Sequence, residues 1–307
     1  MDLSVIVVNY NTRDLLNQLL ASIYRYKVKC NFEVIVVDNG SKDGSSEMVH
    51  RNFSQVRLIT NFTNLGFAGA NNQGIRNCTG RYVLLLNSDT IVFQDTLDTM
   101  VDFLDSNPEV GAAGCKVVLP DGKLDLACRR SFPTPLNSLH HALGLAKLFP
   151  RSPRFAKYNL SYLDEDESYP VDSLVGAFMM VRREVIDQVG LLDESFFMYG
   201  EDIDWCYRIK QAGWEIYYYP KTSIIHYKGA SSRKVKTRMI YEFHRAMVIF
   251  YQKHYASKNN FLVNWLVLVG IWTRYLVALI ANAFKRKGER AFDQELSKGA
   301  QPNTGSR

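Results

Sequence analysis

Short apolar runs in this 307-residue chain end in residues that bind ligands well. Leu3–Val8 runs into Asn9-Tyr10-Asn11, Phe32–Val37 into Asp38-Asn39-Gly40-Ser41, and Tyr82–Leu86 into Asn87-Ser88-Asp89, while a later run stops at His226. Turns favour Asn, Asp and Gly in any case, but the carboxyl ends of strands are where a doubly wound sheet binds its ligands. Asp89 offers a hard oxygen suited to Mg²⁺ or Mn²⁺, and the nitrogen of His226 suits Mn²⁺ better. A cation held there can neutralise negative charge on a bound ligand; the plainer reading is a turn aspartate beside a satisfied strand-end histidine. Glu201-Asp202 stands just before a helical pattern that opens near Ile203. A carboxylate so placed can take the proton of an attacking hydroxyl; the same place also suits an N-cap, and the residues alone leave both readings open.

The elements that must position these groups follow from hydrophobic spacing. Leu3–Val8, Phe32–Val37, Val56–Ile59 and Tyr82–Leu86 read as strands buried on both faces. Leu15, Leu16, Leu19, Leu20 and Ile23 recur at helical spacing, with Thr12 as N-cap, and a short helix over Asn71–Asn77 follows a glycine-rich turn. Asp95–Asp105 reads as a helix, Val110–Leu119 and Ser173–Val181 as strands, and Glu184–Val189 and Ile203–Ala212 as helices closed by Gly190 and Gly213. Pro220 splits Glu215–Tyr219 from Ser223–His226. Residues 120–170 form an irregular, proline-rich excursion with one helix near Leu136–Leu148, the kind of insertion that carries specificity. The fold class expected is α/β: a doubly wound, mostly parallel sheet with helices on both faces. The domains expected are a catalytic unit over 1–230 and a helical region over 231–307.

Charge divides the same way. The net +6 is the sum of about +10 over residues 231–307 and about −4 over the rest. A basic tail on an acidic body suits an anionic surface, either lipid headgroups or nucleic acid, or serves as a solubilising tail. Phe261–Phe284 contains one charge, Arg274, and is followed by Lys285-Arg286-Lys287. Its length can cross a bilayer, but Arg274, Asn264, Thr273 and Asn282 make crossing costly. Three placements remain open: crossing, lying in the interface as a helix or hairpin, or burial in the protein. The apolar stretch with its basic flank favours an anionic membrane surface, not nucleic acid, as partner. The cysteines, Cys30, Cys78, Cys115, Cys128 and Cys206, form no CxxC pair and fit a reducing compartment. No leader is expected before the first strand, so the Asn-x-Ser/Thr triplets at Asn61, Asn77 and Asn159 are chance matches.

At this point the sequence resembles a known family. Val5–Asn11, Val36–Ser45 and Asn64–Asn72 look like segments of the family 2 inverting glycosyltransferases of GT-A fold. Leu84–Thr90 stands where that family has its DxD metal motif, Phe196–Asp204 where it has its Glu-Asp motif, and Ile224–Ser231 where it has a closing histidine. The likeness covers roughly residues 2–250 and is nearest to bacterial rhamnosyltransferases of surface polysaccharide assembly. It implies an inverting, non-processive transferase that uses a divalent cation, a dTDP- or UDP-sugar donor, and a saccharide or polyprenyl-linked acceptor at the cytoplasmic face of the membrane. Asp202 is then the base and Glu201 orients the acceptor; Asp204 faces outward or supports the turn. Asp89 and His226 hold the metal. Asn9, Tyr10, Asn11, Asp38, Gly66, Asn71, Asn87 and Asp89 line the nucleotide-sugar site, with Asp38 reading ribose or base and Tyr10 stacking on the base. Arg129, Arg130 and Arg151 either meet a diphosphate of donor or acceptor or are solvated surface charges. One departure stands out: Asn87 replaces the first acid of DxD, so one strong charge is missing.

Other readings are weaker. A dinucleotide site needs GxGxxG after the first strand, where this chain has Asn9–Arg13. A sugar-1-phosphate nucleotidyltransferase needs a glycine-rich, arginine-bearing loop at the same point. A processive synthase carries Gln-x-x-Arg-Trp after the Glu-Asp motif, which is missing here. A catalytically degenerate nucleotide-sugar-binding protein has only Asn87 in its favour.

Overall fold

The structure, a computed structural model, describes residues 1–228 and 236–299. Two compact units divide it, Met1–Lys234 and Val235–Arg307. The expected boundary at 230/231, and Gly229, Ala230 and Ser231 of the closing histidine segment, lie outside the described residues.

In the first unit the order is β1 (Leu3–Asn9), α1 (Arg13–Tyr24), β2 (Phe32–Asp38), α2 (Ser45–Asn52), β3 (Arg57–Thr60), α3 (Gly66–Arg76), β4 (Tyr82–Asn87), β5 (Thr90–Val92), α4 (Thr96–Ser106) and β6 (Val110–Val118). The excursion follows with α5 (Pro135–Ala142), α6 (Leu145–Leu148) and β7 (Tyr169–Pro170), then β8 (Phe178–Arg182), α7 (Arg183–Val189), α8 (Glu201–Gln211) and β9 (Glu215–His226). The strands form one sheet in the order β3-β2-β1-β4-β8-β6-β9-β5, with β7 on β9. Pairing is parallel through β3-β2-β1-β4 and again between β6 and β9; β8 runs against both β4 and β6. Three of the four apolar runs fill the interior, with Val5, Ile6, Val36, Leu84 and Leu85 fully covered, as strands buried on both faces require; β3 is instead the edge strand, with Arg57 and Thr60 exposed and Leu58 and Ile59 only partly covered.

Several elements depart from their expected bounds, each for a local reason. The helix after the glycine turn begins at Gly66, not Asn71, and its buried Gly69 and Gly74 pack against neighbours. Ser173–Ala177 leave the sheet, and β8 starts at Phe178; Ser173 bridges to Arg130 instead. β9 runs unbroken through Pro220, because the register against β6 shifts between Gly114 and Lys116 and the proline falls in that irregular stretch, where no ladder donor is needed. The excursion holds two short helices in place of one. Thr12 precedes α1 without capping it; its hydroxyl bonds to Asn9 and Ser88 instead.

In the second unit α9 (Lys236–His254) and α10 (Phe261–Gly299) pack on each other.

Candidate active site

The ends of β1, β2 and β4 are tied into one polar shelf. Asn9 lies opposite Asp38 in the parallel ladder, and its amide donates to Asp38 and to Ser41. Thr12 links the shelf to β4, its hydroxyl donating to Asn9 at 2.7 Å and lying 2.9 Å from Ser88 Oγ. Asn11 adopts φ +53° and bridges to the second loop, donating from its backbone to Ser41 and accepting from the Lys42 backbone. Left-handed backbone at a non-glycine residue is costly and clusters at functional sites. Asp38 is buried and accepts from the hydroxyls of Ser41 and Ser46, so its first task is to fasten β2. Tyr10 is half-buried on the same shelf.

Asn39 is the hub that joins this shelf to the glycine loop. Its amide donates to Asn64 Oδ1 and Gly66 O, and its oxygen accepts from Asn61 and from Leu65 N. Gly66 has φ +81°, and a Cβ there would lie 2.5 Å from the Phe197 carbonyl oxygen. Phe67 N donates to that same oxygen at 2.8 Å. The segment before α8 is thereby docked on the glycine loop. Asn71 is buried and donates back to Phe67 O within its own helix.

The second cluster forms where β5 meets β9. Antiparallel pairing sets Thr90 opposite His226, and Tyr227 N donates to Asp89 O. His226 Nε2 lies 3.2 Å from Asp89 Oδ1, and both side chains are buried. The Asn87 amide nitrogen is 3.5 Å from the same Nε2. On the other side of the ring, Nδ1 faces Asp125 Oδ2 at 3.5 Å, and the second oxygen of Asp125 accepts from Lys228 Nζ at 2.8 Å. Burial alone would lower the pKa of His226, but the carboxylates of Asp125 and Asp89 raise it to about 9. Burial likewise works against the charge of Asp125, yet bonds from His226 and Lys228 hold its carboxyl well below the usual range. A carboxylate oxygen and an imidazole nitrogen about 3 Å apart suit two ligands of one cation, and Asp125 behind the ring matches the support that metal-bound histidines receive. Among the described residues no group of three acidic, histidine or cysteine side chains could hold a metal. A cation seated there would take two ligands from the protein, and a donor diphosphate or water would have to complete its shell.

Sequence reasoning missed Asp125 because it belongs to the excursion. A hairpin returns it: Val118 bridges to Leu124 across Gly122, which has φ +81°, and Asp125 N donates to Val117 O. Val118 also pairs with Ile225, which brings Asp125 beside His226. The Asp121-Gly122 dipeptide directly after a strand was the available signal, since such pairs close hairpins.

The third cluster opens α8. Tyr199 and Gly200 both have positive φ, +70° and +84°, and turn the chain into the helix. The helix starts at Glu201, so both acids lie inside its first turn, and both are buried. Asp202 Oδ2 accepts from Arg130 Nη2 at 2.8 Å and from Gly176 N at 3.2 Å, while Oδ1 accepts from Ile203 N at 2.8 Å. Glu201 Oε2 is buried without a hydrogen-bond partner. Burial first, and the charge of Asp202 second, push the Glu201 pKa up to about 8. Asp204 does not face outward: it is fully buried and pairs with Arg208 one turn on. Residues 176 and 177 join this cluster to the shelf, since Gly176 N reaches Asp202 and Ala177 O accepts from Asn87 N.

Arg129 and Arg130 of the excursion are not solvated surface charges. Arg129 is buried between the rings of Tyr169 and Tyr218 and donates to the carbonyls of Leu163 and Asp164. Those bonds turn it towards the excursion's own backbone. Arg130 holds Asp202 and the Leu174 carbonyl. Arg151 is exposed.

Comparison with known proteins adds a lineage to this geometry. Residues 4–190 match the family described as Glycosyl transferase family 2. An N-acetylglucosaminyl-diphospho-decaprenol L-rhamnosyltransferase of Mycobacterium tuberculosis is 30% identical over 86% of this chain and 88% of its own length. The rhamnosyltransferase WbbL of Escherichia coli K12 is 26% identical over 84% of this chain and 96% of its own. Among solved structures, the mannosyltransferase PcManGT from Pyrobaculum calidifontis, in complex with GDP-Man and Mn²⁺, superposes with a TM-score of 0.58 at 19% identity, over 96% of this chain and 80% of its own.

Proposed function

The chain belongs to glycosyl transferase family 2, and from that premise we propose that it is an inverting, non-processive rhamnosyltransferase. Its donor is dTDP-L-rhamnose and its acceptor a lipid-linked saccharide at the cytoplasmic face of a membrane. One observation carries the reading: an acid–histidine pair, Asp89 and His226, and a buried carboxylate at a helix start, Asp202, are joined through Gly176 and Ala177 on one sheet edge. The similarity to two rhamnosyltransferases, one named for a decaprenol-linked acceptor, supports the choice of sugar and of lipid-linked acceptor. A hexose from a UDP-sugar is the competing donor, and nothing in the site selects it.

The roles follow from what each residue can do. Asp202 accepts the proton of the acceptor hydroxyl as its oxygen attacks the anomeric carbon. Inversion follows from a single in-line displacement, in which the new C–O bond forms as the bond to the diphosphate breaks. Arg130 and Gly176 N keep Asp202 in place. Glu201, with a free buried oxygen, orients the acceptor. Asn9, Asn11 and Asp38 hold the shelf on which the nucleoside rests, with Tyr10 beside it. Mg²⁺ or Mn²⁺, when bound, offsets the charge of the leaving diphosphate; Asp89 and His226 would hold it, and Asp125 would hold His226. Asn87 is the residue that favours a degenerate binding protein, and the Asp89–His226–Asp125 chain argues against that alternative.

A thermal-shift panel tests the donor. dTDP-rhamnose with Mn²⁺ is expected to raise Tm more than UDP-glucose, UDP-N-acetylglucosamine or GDP-mannose at equal concentration, because the shift follows RT ln(1 + [L]/Kd). A larger shift with a UDP-sugar moves the assignment to a hexosyltransferase.

A further inference from the structure

The apolar helix α10 has two faces with different tasks. At 100° per residue, the exposed side chains of Leu262, Trp265, Leu266, Val269, Trp272 and Leu276 share one stripe about 120° wide that continues to Phe284. Between residues 261 and 284 the exposed positions include no charge, and Thr273 is their only polar residue. The opposite face is covered by α9. Asn264 accepts from Tyr251 at 2.7 Å and donates to Ala256 O. Tyr275 packs edge-on to Tyr241 and His244, and the guanidinium of Arg274 lies 5.8 Å from the Phe243 ring centroid. Two of the four polar residues that make crossing costly, Asn264 and Arg274, thus lie on the face that α9 occupies.

Resting on the membrane reading above, we propose that residues 261–284 lie in the plane of one leaflet, apolar stripe inward, and do not cross the bilayer. The contacts with α9 run from Asn264 to Tyr275, about 16 Å of helix, against a hydrocarbon core about 30 Å thick. A crossing α10 would either break them or carry α9 into hydrocarbon. α9 brings Arg238, Glu242 and Arg245, with Glu242 buried between the two arginines. Ionised groups there are expensive in lipid. Lying flat inserts only the apolar stripe and leaves α9 on the water side. The occupant is lipid, and anionic lipid in particular: Lys285-Arg286-Lys287 follows the stripe, the whole region carries about +10, and two tryptophans stand on the inserted face, where an interface favours them.

Tryptophan depth tests this directly in the full-length chain. Trp265→Phe and Trp272→Phe each leave one tryptophan on the stripe, and the double variant gives the background from Trp205 and Trp214. Quenching is read in phosphatidylcholine/phosphatidylglycerol vesicles brominated at shallow or deep acyl positions. The expected result is equal, shallow depth for both residues, with vesicle binding reduced at least tenfold in Leu266→Glu. A depth difference of about 10 Å, the axial rise over seven residues, would overturn the in-plane placement while keeping the membrane contact. Absence of vesicle binding, with a second copy covering the stripe in sedimentation, would overturn both, and leaves donor binding to be judged separately by the thermal-shift panel.

Discussion

Arg130 Nη2 lies 2.8 Å from Asp202 Oδ2, and both side chains are buried. The arginine comes from the excursion and the aspartate from the first turn of α8, so the pair clamps an irregular loop onto the proposed base. Its guanidinium also binds the Leu174 carbonyl at 2.6 Å. Both bonds leave the same nitrogen, Nη2, so one end of the planar guanidinium is held between the carboxylate and a backbone carbonyl. Asp202 Oδ1, which accepts only from Ile203 N, keeps capacity for a further donor.

Arg130 is accordingly a positioning residue. Arg130→Met is expected to lower kcat by about 10²-fold or more, with the donor Kd within a few-fold of wild type, and to cost about 3 kcal/mol in urea unfolding because it strands a buried carboxylate. Arg130→Lys restores the charge but not the planar guanidinium, and should recover part of kcat. Asp202→Asn should abolish transfer and keep donor binding. Measured turnover in Asp202→Asn would sink the base assignment; an unchanged kcat in Arg130→Met would sink the clamp.

Asp125 makes a different prediction because, among the described residues, the charged groups paired with its carboxylate are His226 and Lys228. Asp125→Asn is expected to weaken Mn²⁺ binding about 10- to 100-fold, the usual loss when support behind a metal-bound histidine is removed. Electron paramagnetic resonance titration of free Mn²⁺, with dTDP present, reads this without turnover. The pH course follows from the sign of the shift. His226 has a pKa raised to about 9 from 6.5, so its protonated form stabilises the metal-free fold fully below pH 6.5, and that contribution is lost as pH rises through 9. Mn²⁺ has to displace the same proton, so its affinity should climb over that window, and a flat profile counts against His226 as a ligand.

Much of this was legible in the chain itself. Leu3–Asn9, Phe32–Asp38 and Tyr82–Asn87 are apolar runs with polar ends, and a strand buried on both faces that stops at the sheet edge leaves no other pattern. What stayed hidden depends on contacts made across the chain. Asp125 reaches His226 only after a hairpin folds back on β6 and β6 pairs with β9. Arg129 and Arg130 read as diphosphate contacts or surface charges, because their actual partners, Leu163, Asp164, Leu174 and Asp202, lie 34 to 72 residues away. For Asp204, of the two readings, facing outward or supporting the turn, the outward one fails because Arg208, one turn further along the helix, makes its burial tolerable. Helix starts were misplaced at Gly66 and Glu201, where positive-φ glycines 66 and 200 set the turn and tertiary docking against Phe197 decides the first residue.

Glu201 gives a pH signature in the opposite half of the site. Its pKa is raised from 4.5 to about 8, first by burial and then by the charge of Asp202. A raised carboxyl favours the folded state fully below pH 4.5 and loses that contribution as pH climbs to 8. Glu201→Gln, which cannot ionise and keeps the shape, should therefore flatten the fall of Tm between pH 5 and 8 relative to wild type. Parallel Tm curves for the two proteins would show that Glu201 is ionised in the fold throughout that range.

Gly66 offers the most local test of how the two motifs are docked. Its φ of +81° is open to glycine, and an added Cβ would meet Phe197 O at 2.5 Å and the Phe197 ring at 2.9 Å. The first conflict is backbone conformation and the second is backbone against backbone, so no side-chain rotation relieves them. Gly66→Ala is expected to cost about 1–3 kcal/mol, more than the gain that Gly→Ala brings where φ is compatible. The Phe67 N to Phe197 O bond should lengthen with it, moving Tyr199 and Gly200 and so the first turn that carries Glu201 and Asp202. Activity should thus fall at temperatures where the protein is still folded, whereas Gly122→Ala, also at φ +81° but with open space around its Cβ position, should cost stability through backbone strain alone and leave the acidic pair undisturbed. Equal effects of the two substitutions on kcat, measured well below Tm, would remove the argument that the glycine loop and the base-bearing helix are mechanically joined.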